Sequence, residues 1–190
     1  MAIVLASQSP RRQELLARIG VEDFKTLSLD IDESYPEGLS PEDTVRYIAK
    51  KKCDAAAALC APDDLIITAD TMVFLDNDRL GKPRDEDDAF RMLRELAGRG
   101  HTVCTGVSVR RGAQEERFAV STRVFFRPMT DDEIRAYIKT GEPMDKAGAY
   151  GVQSRGALFV ERIDGDFFNV MGLPVEQLGL VLARFGVKLL

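Results

Sequence analysis

The chain has 190 residues, of which 45% are hydrophobic and 30% charged, as expected for a soluble globular protein with one large core. Its net charge of −5 argues against broad nucleic-acid binding, which calls for a basic surface, and no apolar run approaches the roughly 20 residues that cross a bilayer. The three cysteines form no CxxC pair and no secretory signal is visible, so we expect a cytoplasmic protein with no nucleic-acid or membrane partner.

The first predicted elements are a strand over residues 3–6 and a helix with an apolar face after it. Polar residues form the turn between them: Ser7, Gln8, Ser9, Pro10, Arg11 and Arg12. Ser9 is suited to cap the helix, and Pro10 is suited to its first position. Free amides and two guanidinium groups at a helix N-terminus favour a phosphate site, although a capped helix with two solvated arginines gives the same pattern.

Two further candidates follow this turn. Residues 24–31 predict a strand that runs into an acidic cluster ending at Glu33, a pattern that is also typical of a solvated loop. Ser40 is predicted to cap the next helix. The helical spacing directs Lys52 inward, whereas three consecutive lysines at residues 50–52 are normally surface charge.

Asp70 stands in the most apolar part of the chain. Residues 65–69 predict a central strand of an α/β sheet, which we expect to end on Asp70 and Thr71. Burying an unpaired carboxylate is costly, and the carboxyl end of a strand faces the crevice where such folds bind ligands. Asp70 is therefore a candidate site residue, although it could instead cap a turn.

The motif Gly81-Lys82-Pro83 places Lys82 on a tight loop, without the spacing of a Walker A sequence. The single histidine, His101, argues against zinc sites that draw on several His or Cys ligands and against the usual hydrolase triads. We interpret His101 as structural. Any metal is expected to be Mg²⁺ or Mn²⁺ on carboxylate and phosphate oxygens.

The second half of the chain mixes helices with long strands. We predict helices over residues 85–97, 130–141 and 174–185, and strands over residues 102–109, 118–126 and 157–163. Residues 142–156 are rich in Gly and Ala, which permit close backbone approach, and they predict a functional loop. Together the elements predict one α/β domain over residues 1–190, with a single mixed sheet flanked by helices and bent into two lobes around a cleft.

Six motifs follow one another along the chain. They are Ser7-Gln-Ser-Pro-Arg-Arg12, Ile67-Thr-Ala-Asp-Thr71, Gly81-Lys-Pro83, Thr140-Gly-Glu-Pro143, Asp145-Lys-Ala-Gly-Ala-Tyr-Gly-Val-Gln153 and Asn169-Val-Met-Gly-Leu-Pro174. This series resembles the Maf family of nucleoside triphosphate pyrophosphatases, which implies an inosine triphosphatase-like fold. The segment ending at Gln153 resembles the branch that acts on dTTP and UTP, except that Ser154 and Arg155 stand where that branch usually has Gly directly after the glutamine.

The resemblance implies hydrolysis of dTTP and UTP, or of modified pyrimidine nucleotides, to the monophosphate and pyrophosphate. It assigns Asp70 as proton acceptor. Glu33 would share with Asp70 in holding a divalent cation, Mg²⁺ or Mn²⁺, while Lys82 would stabilise charge on the phosphates. It also implies a cytoplasmic homodimer.

The substrate-binding residues divide into two groups. The resemblance places Arg12, Thr71 and Gln153 at base selection. The other candidates contact the phosphates through cations or neutral donors: Ser7, Ser9, Arg11 and Lys52.

Two alternatives remain open at this point. The same chemistry could act on 7-methyl-GTP or inosine-type nucleotides, or the protein could be a nucleotide-binding regulator of septum formation. The combination of Asp70, Lys82 and Glu33 favours turnover, because a sensor has no need of a carboxylate that activates water.

Overall fold

The computed structural model describes residues 1–76 and 78–190. Its helices are α1 (Pro10–Arg18), α2 (Pro41–Ala57), α3 (Glu86–Leu96), α4 (Asp131–Ile138), α5 (Phe167–Met171) and α6 (Val175–Arg184). Its strands are β1 (Ile3–Leu5), β2 (Phe24–Thr26), β3 (Leu65–Leu75), β4 (Asp78–Leu80), β5 (Gly100–Arg111), β6 (Gln114–Phe126) and β7 (Val160–Asp164).

The strands form one mixed sheet in the order β2-β1-β3-β5-β6-β7, with β4 paired to β3. β1 is parallel to both of its neighbours, with Ile3 opposite Phe24 and Leu65. β4 is antiparallel to β3, and β7 is antiparallel to β6. This confirms the predicted fold class, a single mixed sheet flanked by helices.

Local capping explains where several helices begin. The Ser40 hydroxyl accepts a hydrogen bond from the Asp43 amide at 3.1 Å, and α2 starts with Pro41, as predicted. Thr130 and Glu133 form the predicted capping box at the start of α4. Ser9 occupies the N-cap position of α1, but its hydroxyl accepts no hydrogen bond from the helix, so the predicted side-chain cap is wrong.

Several predicted strand boundaries are wrong, each for a physical reason. β2 stops at Thr26 and does not reach residue 31, because β1, its pairing partner, is only three residues long. β3 does not end at Asp70 and Thr71 but continues to Leu75, because its last residues pair with β4. β7 begins at Val160, since residues 155–159 form a 3₁₀ helix. The short helix α5 was not predicted.

The chain divides into two compact units. Unit 1 contains Met1–Asp70, Thr105–Val120 and Gly172–Leu190, and unit 2 contains Thr71–Cys104 and Ser121–Met171. Each has its own buried side chains, among them Leu5, Ile48 and Ile67 in unit 1 and Leu93, Phe126 and Ile134 in unit 2. The single domain over residues 1–190 stays a prediction. No helix within the described ranges is long and apolar enough to span a membrane.

Candidate active site

The turn between β1 and α1 is organised around the Arg12 side chain. Its Nε donates to the Gly172 carbonyl at 2.8 Å, and one terminal nitrogen donates to the Ala69 carbonyl at 2.9 Å. The same nitrogen lies 3.4 Å from the hydroxyl of Ser7, which also accepts a hydrogen bond from the Ser9 amide at 3.2 Å. Backbone oxygens from distant parts of the chain therefore hold the guanidinium group in one orientation.

Burial lowers the pKa of Arg12, and the positive charge of Arg11 acts in the same direction. The negative charges of Asp70 and Glu33 oppose this shift. Arg11, Arg12, Asp70 and Glu33 of unit 1 thus form one electrostatic group, in the sense that the charges of the other three residues act on the Arg12 guanidinium.

Lys52 joins the two carboxylates of this group. Its Nζ lies 2.8 Å from Asp70 Oδ1 and 2.8 Å from Glu33 Oε1. The Asp70 side chain is 8% exposed and that of Lys52 14%, whereas that of Glu33 is 50% exposed. Of the alternatives left open by the sequence, the inward orientation of Lys52 is the one that the structure shows.

The neighbouring lysines have other partners. Lys50 pairs with Asp54 on the same helix. Lys51 reaches Asp32 and the Ser34 carbonyl, the latter at 3.2 Å, and so anchors the segment that carries Glu33. Part of the acidic cluster is therefore solvated, and part of it is held in place by Lys51.

The packing of α2 against the sheet sets the position of Lys52. The hydroxyl of Thr68 on β3 donates to the Ala49 carbonyl of α2 at 2.7 Å. At Gly106 on β5, an added Cβ would lie 2.3 Å from the Val45 carbonyl carbon, so only glycine lets α2 approach this closely. These contacts fix the packing of α2 on the sheet, from which the Lys52 side chain reaches Asp70.

Asp70 Oδ2 differs from Oδ1 because it is buried and, in the described part of the chain, has no hydrogen-bond partner. The described residues contain no cluster of three or more His, Cys, Asp or Glu side chains that could hold a metal. Mg²⁺ is commonly held by one or two carboxylates together with substrate phosphates, so Asp70 and Glu33 fit such an ion by donor type and number. A buried carboxylate oxygen without a partner is consistent with a ligand role.

Three predicted site residues belong to unit 2: Thr71, Lys82 and Gln153. The loops that carry Lys82 and Gln153 are linked through the Gly148 amide, which donates to the Gly81 carbonyl at 3.1 Å. The side chains of Lys82 and Gln153 are exposed and, among the described residues, make no hydrogen bond or ion pair. Each is therefore available to a ligand.

The sequence profile of the Maf-like proteins matches residues 2–185. The chain belongs to this family. It is 46% identical over 186 residues to the dTTP/UTP pyrophosphatase of Bacillus velezensis, a match that covers 98% of this chain and 97% of that protein. It is also 47% identical over 191 residues to the dTTP/UTP pyrophosphatase of Dictyoglomus turgidum, covering 99% and 98%.

Solved structures with low sequence identity share the fold. The Staphylococcus aureus Ham1 protein is 13% identical with a TM-score of 0.57, covering 97% of this chain and 100% of that one. A HAM1 protein from Coxiella burnetii is 14% identical with the same TM-score of 0.57, covering 97% and 99%. At this identity the likeness concerns the fold alone.

In this Maf family member, Glu142 in unit 2 is not a residue that the sequence pattern predicts as functional. It lies within the motif Thr140-Gly-Glu-Pro143. Its carboxylate accepts hydrogen bonds from a buried tyrosine and from the residues that follow Gln153. A glutamate beside a turn is usually solvated, so no signal in the sequence alone distinguishes it.

Proposed function

We propose that this protein is a nucleoside triphosphate pyrophosphatase that hydrolyses dTTP and UTP to the monophosphate and pyrophosphate. Its family membership and its 44–47% identity to curated dTTP/UTP pyrophosphatases support this activity. The observation in the structure that carries the proposal is the cluster of Lys52, Asp70 and Glu33, with Arg12 in the same electrostatic group. Paired carboxylates beside cations suit the activation of water next to an anionic substrate.

Asp70 is proposed as the general base. Its Oδ1 is held by Lys52 at 2.8 Å, while Oδ2 is the buried oxygen left to accept a proton from the attacking water. Attack at the α-phosphorus forms one P–O bond and breaks the α–β anhydride, so that pyrophosphate leaves. The Lys52 ammonium keeps the carboxylate oriented and offsets the cost of its burial.

The cations are proposed to neutralise the triphosphate. Arg11 and Lys82 supply positive charge, and the hydroxyls of Ser7 and Ser9 supply neutral donors. Lys82 is exposed and without a partner among the described residues, which leaves its ammonium available for a phosphate.

We further propose that Glu33 and Asp70 hold a divalent cation, Mg²⁺ or Mn²⁺. When bound, such an ion neutralises phosphate charge and makes a coordinated water more acidic. The carboxylate oxygens of Glu33 and Asp70 match the preference of these ions for hard ligands.

Base selection is proposed to involve Arg12, Thr71 and Gln153. Uracil and thymine present two carbonyls that flank an N–H, and the amide of Gln153 can donate to one of the carbonyls while it accepts from the N–H. Cytosine reverses part of this pattern, so an amide held in one orientation favours UTP and dTTP over CTP. The cytoplasmic location and the homodimer also stay proposals from the family resemblance.

A panel of nucleoside triphosphates tests the function. With Mg²⁺, we expect the protein to release pyrophosphate, and no orthophosphate as first product, from UTP and dTTP faster than from CTP. Faster turnover of 7-methyl-GTP or ITP would replace the proposed substrate. Nucleotide binding with no turnover of any substrate would favour the regulatory alternative, and orthophosphate as the first product would overturn the cleavage position.

A further inference from the structure

Among the described residues, at least four groups donate hydrogen bonds to the Glu142 carboxylate. Its Oε1 accepts from the Tyr137 hydroxyl at 2.7 Å, the Ser154 hydroxyl at 2.7 Å and the Gly156 amide at 3.1 Å. Its Oε2 accepts from the Arg155 amide at 3.3 Å. The three residues directly after Gln153, residues 154–156, therefore all donate hydrogen bonds to one side chain.

The same carboxylate also reaches the other end of this segment. The Tyr137 hydroxyl, which donates to Glu142, accepts a hydrogen bond from the Gly151 amide at 3.1 Å. Gln153 thus lies between Gly151, which is held by the Tyr137 hydroxyl, and residues 154–156, which are held by the Glu142 carboxylate to which that hydroxyl donates. Tyr137 itself is only 5% exposed, so this chain of hydrogen bonds passes through the interior of unit 2.

Close backbone packing removes alternative conformations of the segment. A Cβ added to Gly156 would lie 2.6 Å from the Gly151 carbonyl oxygen, so the two glycines meet with no room for a side chain. Lys146 covers the other side of Gly151, where an added Cβ would lie 2.8 Å from Lys146 Cε. The Lys146 ammonium in turn donates to the Glu142 carbonyl at 2.7 Å.

Burial acts to raise the pKa of Glu142, but the hydrogen bonds from Ser154, Tyr137 and the amides of Gly156 and Arg155 outweigh it, so the pKa is lowered. The group is therefore ionised at neutral pH and accepts all of these bonds. Charge-assisted hydrogen bonds of this kind are stronger than those between neutral groups.

We propose that Glu142 is a positioning residue whose carboxylate fixes the conformation of residues 151–156 and, through it, the orientation of Gln153 toward the base. The part of this inference that concerns base selection rests on the proposed function. The Ser154 hydroxyl adds a side-chain donor to the same carboxylate.

The test compares Glu142→Ala with Glu133→Ala. Glu133 is a matched control, because it also accepts several hydrogen bonds in unit 2, from Arg127 and Thr130, but makes none with residues 151–156. We expect Glu142→Ala to raise KM for UTP and to lower the UTP-to-CTP ratio of kcat/KM about five- to tenfold, as for loss of a buried hydrogen bond, with little change in kcat. Glu133→Ala should lower thermal stability without changing that ratio.

Two further variants separate positioning from mere stability. Glu142→Gln keeps an acceptor oxygen and should retain most of the selectivity. In a Gln153→Ala background, Glu142→Ala should not lower the ratio further, because the residue acts through Gln153. An unchanged ratio in folded Glu142→Ala, or an equal fall in Glu133→Ala, would overturn the inference.

Amide hydrogen exchange tests the positioning role of Glu142 without relying on enzyme activity. The amides of Gly151, Arg155 and Gly156 should exchange more slowly in the wild-type protein than in Glu142→Ala, and Glu133→Ala should leave them unchanged. If the wild-type protein released no pyrophosphate from UTP or dTTP, the proposed function would fail, while faster exchange in Glu142→Ala would still support the positioning role. Equal exchange in both proteins would contradict it.

Discussion

The two oxygens of Asp70 have different surroundings. Oδ1 is 2.8 Å from Lys52 Nζ, whereas Oδ2 is buried and has no hydrogen-bond partner in the described ranges. An ion pair on one oxygen offsets part of the cost of burying the charge, and the other oxygen keeps its lone pairs for a ligand. At the scale of a single residue, Asp70 therefore has one oxygen held by Lys52 and one oxygen that a ligand could contact.

We predict that Asp70→Asn lowers kcat for UTP by about 10²- to 10⁴-fold, the usual contribution of a general base. The amide has the same shape but lacks the charge needed to accept a proton. Steady-state pyrophosphate release would measure the effect, with circular dichroism to check the fold. Asp54→Asn is the control, since Asp54 lies on α2 and, within the described part of the chain, pairs with Lys50 and Arg110. Wild-type kcat in folded Asp70→Asn would rule out the assigned role.

The surroundings of His101 are those of a structural residue, as predicted for the single histidine of the sequence. It is 2% exposed, and its Nε2 lies 2.8 Å from the Tyr150 hydroxyl. Phe126 packs edge-on against its ring at a centroid distance of 5.0 Å. Burial lowers the pKa of His101 to about 3, so the imidazole is neutral in the folded protein at neutral pH.

This burial makes stability depend on pH. The pKa of His101 is about 3 when folded and 6.5 in its unperturbed state, so the unfolded chain binds a proton first as the pH falls. The contribution of His101 to stability is complete above about pH 6.5 and is lost progressively between there and about pH 3. From pH 7 to pH 5 the loss should reach about 2 kcal/mol at most.

Urea unfolding at pH 7 and pH 5 measures this loss. We predict that His101→Gln, which keeps a polar partner for Tyr150, loses less stability over this interval than the wild-type protein does. The comparison of the two pH values within each protein cancels the cost of the substitution itself. An identical pH dependence in both proteins would show that His101 is not the group responsible.

At the scale of elements, a single glycine of β5 determines how closely α2 can pack on the sheet. Gly106 faces the backbone of α2 at Val45, and an added Cβ would approach the Val45 carbonyl oxygen to 2.4 Å. Because backbone atoms cannot rotate away, the helix itself has to move. α2 also carries Lys52, so packing at Gly106 is linked to the position of the ammonium group.

We predict that Gly106→Ala lowers the free energy of unfolding by about 1–3 kcal/mol, the usual range for overpacking, and also lowers kcat/KM. Gly179→Ala in α6 is the matched control. Among the described residues, its added Cβ would meet just Leu189 Cδ1, at 3.7 Å, so it should raise stability by about 0.5–1 kcal/mol through helix propensity. Chemical denaturation and kinetics on both variants would check this. A neutral Gly106→Ala would mean that α2 tolerates displacement.

At the scale of the whole molecule, the charge balance opposes the proposed substrate. The chain has 31 acidic and 26 basic side chains, and a nucleoside triphosphate also carries several negative charges. Binding therefore depends on local cations, since the average field is repulsive. A divalent cation that travels with the triphosphate reduces this repulsion.

We predict that a chelator abolishes pyrophosphate release and that Mg²⁺ or Mn²⁺ restores it. Glu33→Gln, which removes one proposed carboxylate ligand, should raise the metal concentration needed for half-maximal activity. Glu14→Gln is the control, because Glu14 is an exposed carboxylate of unit 1 that pairs with Arg18 and, in the part of the chain that the structure describes, makes no hydrogen bond or ion pair with the segment carrying Glu33. Full activity in chelator would exclude a metal requirement, and an unchanged metal dependence in Glu33→Gln would remove Glu33 from the proposed ligands.

Local chemistry made much of the fold predictable. The starts of α2 and α4 follow from Ser40 and Thr130, because a cap uses hydrogen bonds within a few residues of itself. The central strand follows from its run of apolar residues. The order of the motifs also predicted the family, which the match over residues 2–185 confirms.

Tertiary structure alone decided the rest, because the partners lie far apart in sequence. Arg12 is held by carbonyls at Ala69 and Gly172, and every residue has a carbonyl, so no side-chain pattern marks these two. Which of three consecutive lysines meets Asp70 depends on how α2 packs on the sheet. The role inferred for Glu142 arises only because residues 151–156 fold back onto it. A sequence shows which groups can bind, and packing determines which of them meet.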